Sequence, residues 1–338
     1  MRNLTPKKMR LLSAMQNKDK NKFGCIWIEP TLRCNANCRM CLRKELVGNR
    51  HLSPEDDLSF EDFKKIISKI PYPILRIHLQ GNGEPFLNKD IFEMIKYCVS
   101  KNIVVGITSN GTLINEDMSK KIIDSGLDFL GISIDAIDKE FYEELRPGYP
   151  FKSLLNNLET LMSVKSKTKA ELLVAMYVVV TEHNKNDLDR FLTFAHQFGF
   201  DGFVYQPLSC KPIFTESYDK DFYNDNIDIL THRLGEIIDI KKIQSYAESL
   251  GIYGIPAEEC VMRWKDLYVT FDGYVTPCCF IPATPMGNIL TQDFDEVWNS
   301  RRFKEFKQKI LEHKLPEQCK GCPRELDFDE VIKVLDNE

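Results

Sequence analysis

Three cysteines, Cys34, Cys38 and Cys41, share one short stretch with the spacing C-x3-C-x2-C. Thiolates are the usual ligands of iron–sulfur clusters, which commonly take four. Three leave one iron of a 4Fe-4S cube without a protein ligand. An open metal position is where a small molecule binds and reacts, as in catalytic rather than structural zinc sites. Zinc competes for the same residues, but its sites pair C-x2-C units or add a histidine, and the next histidine is His51. Inert core cysteines are the plain alternative. A second group, Cys260, Cys278, Cys279, Cys319 and Cys322, gathers near the end, the last two as C-x2-C. Four of these thiolates would fully ligate another cluster or a zinc ion, and spacing alone does not separate the two. Cys25, Cys98 and Cys210 stand alone and read as small buried hydrophobes.

These groups need elements to hold them. Apolar, often β-branched runs at Cys25–Ile28, Ile74–Leu79, Ile103–Thr108, Phe129–Ile134, Leu172–Val180 and Phe203–Tyr205 read as strands. Between them Phe60, Phe63, Ile66, Ile67 and Ile70 recur at helical spacing, as do Ile91, Met94, Ile95 and Cys98. Further helical patterns fall near Glu116–Asp124, Leu154–Val164 and Leu188–Phe198. Six strand–helix repeats predict an α/β fold of parallel strands joined by right-handed crossovers. Six are too few for a closed eight-fold barrel, so an open, curved partial barrel is expected first and a doubly wound open sheet second. Ligands then belong at the carboxyl ends of the strands. Cys34 follows the first strand, Gly81-Asn82-Gly83-Glu84-Pro85 the second and Ser109-Asn110-Gly111-Thr112 the third, while Ser133 and Asp135 close the fourth. These clusters are therefore expected to converge on one site.

After Phe200 the pattern changes. The expected domains are a basic amphipathic extension over 1–23, a core over 24–215, a helical connection over 216–255 and a cysteine-bearing tail over 256–338. In the tail, Tyr268–Phe271 and Tyr274–Thr276 flank Asp272-Gly273, a hairpin signal. One helix is expected after it, with Phe294, Val297, Trp298, Phe306 and Ile310 on its apolar side. The net charge of −5 speaks against a general nucleic-acid surface. No apolar run suits a signal peptide or a membrane span, so a cytoplasmic protein is expected. In that reducing compartment clustered cysteines point to metal more than to disulfides.

With these motifs in order along strand ends, the sequence resembles the radical S-adenosylmethionine (SAM) superfamily over at least residues 24–210. The resemblance implies a partial (β/α)6 TIM-like barrel in which Cys34, Cys38 and Cys41 hold a 4Fe-4S cluster. SAM would chelate the fourth iron through its amino and carboxylate groups and be cleaved reductively to methionine and a 5′-deoxyadenosyl radical. Gly81-Asn82-Gly83-Glu84-Pro85 looks like the family's GGEP element, whose carbonyls and Glu84 would accept hydrogen bonds from the SAM ammonium group. Ser109, Asn110, Ser133 and Asp135 match positions near the SAM ribose and carboxylate, and Arg146 in Arg-Pro-Gly would pair with that carboxylate. Met40 departs from the pattern, standing where an aromatic residue usually lies near the adenine; its thioether offers a similar soft contact.

The tail resembles the SPASM/twitch extension, which implies an auxiliary 4Fe-4S cluster on Cys260, Cys278, Cys319 and Cys322. Five cysteines fit the one-cluster twitch form better than the two-cluster SPASM form, with Cys279 able to replace Cys278. Relatives with this extension oxidise aminocyclitol alcohols, mature sulfatases, or cross-link and epimerise peptides. Only 33 residues precede Cys34, few for a peptide-recognition domain. The expectation is therefore an oxidoreductase for a small metabolite, a sugar or cyclitol alcohol, supplied with electrons by a flavodoxin or ferredoxin. A peptide maturase is the runner-up, and a non-catalytic electron carrier the rival from another class. Tyr177, Tyr205 and Gln206 are candidates for the pocket wall, structural packing explaining them equally well, and no residue is identified as the substrate base.

Overall fold

The computed structural model describes residues 24–41, 43–48, 51–208, 220–226, 234–256, 266–278, 285–316 and 319. The 1–23 extension, Cys210, Cys260, Cys279 and Cys322 lie outside the described residues. A single sheet organises the rest. Its strands are β1 (Ile26–Ile28), β2 (Arg76–Leu79), β3 (Val104–Ser109), β4 (Phe129–Ser133), β5 (Leu173–Val180), β6 (Gly202–Pro207), β7 (Tyr253–Pro256), β8 (Leu267–Val269), β9 (Tyr274–Thr276) and β10 (Gly287–Asn288). The order is β10-β9-β8-β1-β2-β3-β4-β5-β6-β7, parallel from β8 through β7 and antiparallel across β8-β9-β10. The sheet does not close on itself, so the molecule is a partial barrel.

Alternation along the strands sets its two faces. Ile26 and Ile28 pair with Ile77 and Leu79, and all four are fully buried beneath the helical layer. Trp27, His78, Thr108, Gly131, Ala175 and Gly202 share the opposite, inward face. Each aliphatic side chain fully buried on the outer face contributes roughly 1.5–3 kcal/mol. The helices start at side-chain caps. Ser59 Oγ accepts from Asp62 N at 3.1 Å before Phe60–Lys69, and Asn115 Oδ1 accepts from Met118 N at 2.9 Å before Glu116–Asp124. Such caps contribute on the order of 1 kcal/mol each.

Two expectations change. The 216–255 connection is more than a linker, because helix Ile240–Leu250 is followed by β7, which pairs in parallel with β6 as a seventh barrel strand. The tail helix is two helices, Phe294–Trp298 and Arg301–Leu311, since Ser300 starts a new one by accepting from Phe303 N. The hairpin forms as expected, with Gly273 at φ 84°, and it adds β8 directly to the β1 edge. Cys25 and Cys98 are buried, as small hydrophobes are. No described helix is long and apolar enough to cross a membrane.

Candidate active site

The loops at the carboxyl ends of β1, β2 and β3 are locked together by their own backbone. Glu84 N donates to Arg33 O at 2.8 Å, which lays the Gly81–Pro85 loop against the cysteine loop. A Cβ on Gly83 would stand 2.2 Å from Thr31 O and 2.6 Å from Arg33 O, so only glycine permits this approach. Arg33 is held by both oxygens of Asp57 and donates to Leu87 O at 2.7 Å. Farther along, Arg39 N donates to Leu145 O at 3.0 Å and ties the cysteine loop to helix Lys139–Leu145.

Glu84 is the hub of this region. It is buried, caps the 3-10 turn Pro85–Leu87, and accepts from Ser109 Oγ at 2.9 Å and Asn110 N at 2.8 Å. Burial raises its pKa, and the donors Asn110, Ser109 and Phe86 together with the Arg146 charge temper the rise. Asn110 reaches further: its Nδ2 donates to Asn35 Oδ1 at 3.0 Å and lies 3.8 Å from Cys34 Sγ. One carboxylate thus fixes the residue that touches the first cysteine. Asp135 and Arg146, both expected near a ligand carboxylate, are bound to each other at 2.5 Å in a buried pair. Asp135 Oδ1 also accepts from Val179 N at 2.8 Å, while Arg146 Nε is buried with no hydrogen-bond partner. Burial opposes the Arg146 charge, but the fields of Cys38 and Asp135 outweigh it and raise its pKa. Ser133 ends β4 opposite Tyr177 in register, and Met40 packs partly buried against the core.

The sequence reading missed Glu29. It sits buried just past β1, and its Oε1 accepts from Asn82 N at 2.7 Å and Tyr268 Oη at 3.1 Å. Gly81 passes so close that a Cβ there would lie 2.2 Å from Glu29 Cγ. Burial raises the Glu29 pKa against the Asn82 and Tyr268 donors. This carboxyl group joins the first strand, the glycine loop and the tail hairpin. Of the three residues offered as pocket wall, Tyr177 and Gln206 fall on the inward face. Tyr205 does not: it pairs with Val178, is fully buried on the outer face and packs 5.6 Å from the Phe203 ring.

The three loop cysteines lie within one another's fields. Ala36 N donates to Cys34 Sγ at 3.4 Å, and Cys41 feels the fields of both Cys38 and Cys34. Burial, then the Cys38 field, pushes the Cys41 thiol up to about 11, and burial likewise raises Cys34. Ligation requires the thiolate, so binding a cluster here releases protons. Among the described residues no three His, Cys, Asp or Glu side chains converge as one bound ion requires. A cluster presents a separate iron to each thiolate and needs no such convergence. Cys278 and Cys319 pack partly buried against the tail core. The register carries β9 toward the amino-terminal end of β1, where Cys278 follows it, whereas Cys34 follows the carboxyl end.

An open parallel barrel with a three-cysteine loop over its strand ends and a second cysteine-bearing hairpin on its first edge is the architecture of a cluster-dependent radical enzyme. The radical SAM superfamily profile matches residues 28–195, and an iron–sulfur cluster-binding SPASM domain profile matches 260–323. The chain belongs to the radical SAM superfamily. It is 23% identical to the tungsten-containing aldehyde ferredoxin oxidoreductase cofactor-modifying protein of Pyrococcus furiosus, over 92% of this chain and 90% of that one. It is 24% identical to the AdoMet-dependent heme synthase of Methanosarcina barkeri, over 87% and 85%. Among solved structures, anSMEcpe with bound AdoMet superposes with a TM-score of 0.63 at 18% identity, covering 92% and 91%. The fold, the SAM and the 4Fe-4S clusters expected from the sequence accord with these matches.

Proposed function

We propose that this radical SAM enzyme is an oxidoreductase acting on a small molecule, either a metabolite such as a sugar or cyclitol alcohol or a cofactor precursor. The observation that carries the site assignment is the unpartnered, buried Arg146 Nε beside the cysteine loop. A donor left open in an otherwise satisfied ion pair suits a ligand carboxylate. SAM, when bound through its amino and carboxylate groups to the open iron, supplies a 5′-deoxyadenosyl radical able to take a hydrogen atom from an unactivated C–H bond.

The chain's own residues have these roles in the proposal. Cys34, Cys38 and Cys41 hold the first cluster, and Cys260, Cys278, Cys319 and Cys322 the auxiliary one, whose chemistry is electron transfer. Gly81, Asn82, Gly83 and Pro85 let the backbone pass beneath SAM, and Glu84 orients Ser109 and Asn110 toward it. Asp135 aims Arg146 at the SAM carboxylate; Ser133 and Met40 border the ribose and adenine. The interior face, walled by Tyr177 and Gln206, excludes water and positions the substrate. The small-molecule reading is favoured over a peptide because two relatives matched over most of their length are named for work on a cofactor or on heme. An external one-electron donor of the flavodoxin or ferredoxin class completes the system.

The test is substrate-dependent 5′-deoxyadenosine release by the reconstituted enzyme. Aminocyclitols, sugar alcohols, nucleotides and porphyrins form one panel and synthetic peptides another. Stimulation confined to the small-molecule panel is expected. Stimulation confined to peptides overturns the substrate assignment.

A further inference from the structure

The barrel interior holds an arginine that the site above does not use. Arg76 opens β2 on the inward face, two residues before His78, while its neighbours on the outer face, Ile77 and Leu79, are fully buried. Its Cζ lies 5.9 Å from the Trp27 ring centre, and its Nε is buried with no hydrogen-bond partner. No ion pair among the described residues includes it. Asp266, whose field it feels, accepts from Cys25 N at 2.6 Å. Burial opposes the Arg76 charge, yet the fields of Cys25 and Asp266 and a side-chain hydrogen bond with Cys25 sustain it, leaving Nε as the open donor.

The surroundings are aromatic. The His78 ring lies across Gly106, 2.9 Å from where a Cβ would stand, and the Tyr177 ring lies across Gly131, 2.7 Å from its would-be Cβ. Phe129 bridges them, 6.0 Å from each ring centre. His78 shares its Nε2 with Thr108 Oγ1 at 2.9 Å, and burial followed by the Arg76 charge holds it neutral, with a pKa down to about 3. A buried guanidinium with an open Nε and no ion pair among the described residues is costly. Guanidinium groups recognise carboxylate and phosphate alike, and an aromatic face beside them suits a ring.

We propose that Arg76 anchors an anionic group of the substrate, a carboxylate or a phosphate, with the substrate's ring system against Trp27, Phe129 and Tyr177. This rests on the proposed function, and it narrows the substrate to an anion. Arg76 opens its strand, whereas the cysteine loop follows the far ends. At a rise of about 3.3 Å per residue, Gln80 at the end of β2 is about 13 Å from it. The anionic group therefore lies several bonds from the reacting C–H.

The experiment is equilibrium dialysis of the reconstituted holoenzyme with SAM present, using phenyl phosphate, benzoate and neutral benzyl alcohol as probes. Saturable binding of at least one anion is expected, weakened tenfold or more in Arg76→Gln and partly kept in Arg76→Lys, with SAM affinity unchanged in both. The stronger anion identifies phosphate or carboxylate as the group. The proposal fails if wild type binds neither anion, if benzyl alcohol binds as well as they do, or if Arg76→Gln binds like wild type. Should Arg76→Gln lose clusters, Arg76→Lys and the salt dependence of wild-type binding decide, and binding indifferent to both overturns it. Release of 5′-deoxyadenosine is followed in parallel. Release with the small-molecule panel but no anion binding refutes the anchor alone, while anion binding without release by any member of that panel refutes the proposed function and leaves Arg76 as an anion site.

Discussion

Replacing Gly83 with alanine disturbs the meeting of the glycine loop and the cysteine loop at a single atom. The new Cβ would stand 2.2 Å from Thr31 O, about 1.2 Å inside the 3.4 Å at which ordinary contact begins. The obstructing atoms are backbone carbonyls of Thr31 and Arg33, so no side chain can swing aside. The loops must part by about 1 Å, which breaks the bond from Glu84 N to Arg33 O and draws Glu84 away from Ser109 and Asn110. A misplacement of about 1 Å near reacting groups costs on the order of 100-fold. The expected loss in kcat/KM for SAM cleavage is therefore about 100-fold, or roughly 2.7 kcal/mol. The assay is 5′-deoxyadenosine release across SAM concentrations, with iron content and the reduced-cluster spectrum recorded for each sample. Gly202→Ala is the control, because the nearest atoms to its Cβ would be Ala175 Cβ at 3.3 Å and Tyr253 O at 3.7 Å, far looser than at Gly83. Full cluster content with a rate within threefold of wild type in Gly83→Ala would refute the reasoning.

Arg146→Met strands the buried Asp135 carboxylate and should destabilise the holoenzyme by about 3–5 kcal/mol in guanidinium unfolding. Adding Asp135→Asn should recover part of that, and a single-variant loss under 1 kcal/mol contradicts the assignment. His78 has a folded-state pKa of about 3, below its unfolded value, so the unfolded chain takes up the proton first on acidification. The stability it contributes is whole above about pH 6.5 and drains as pH falls toward 3. The unfolding midpoint of His78→Gln should thus fall less than that of wild type between pH 7 and 5, and parallel curves count against a buried neutral ring. Glu29→Ala removes the shared acceptor of the Asn82 amide and the Tyr268 hydroxyl and should cost about 1–3 kcal/mol in all. Tyr268→Phe removes only one donor and should cost less in the same melt; the reverse ranking disproves the hub role.

Most strands were legible because their signal is local. Runs such as Leu172–Val180 and Phe129–Ile134 are apolar over a strand's length, and the glycine and cysteine motifs punctuate their ends. β7 escaped because it is four residues, Tyr253-Gly254-Ile255-Pro256, two of which read as breakers; at the sheet edge both are tolerated. The tail helices looked continuous since Phe294, Val297, Trp298, Phe306 and Ile310 are all apolar, and only a serine cap at Ser300 divides them. Pocket wall and core packing could not be separated for Tyr205, because both faces of an interior parallel strand are buried and apolar and composition does not reveal the phase. Glu29 gave no signal at all. An acid after a strand reads as surface, and its burial follows from Tyr268, 239 residues away, arriving beside it. Arg76 was hidden because register, not spacing, turns it inward, and Asp135 and Arg146, though only 11 residues apart, each read as a ligand contact rather than as the other's partner.

The central claim is that Cys34, Cys38 and Cys41 support reductive SAM cleavage. It is tested most directly by 5′-deoxyadenosine release from the anaerobically reconstituted protein with SAM and a strong reductant, beside a variant with all three cysteines changed to alanine. Release by wild type and none by the variant is predicted. A cluster-loaded wild type that binds no SAM and releases no more than the variant would contradict the account and leave an electron carrier in its place.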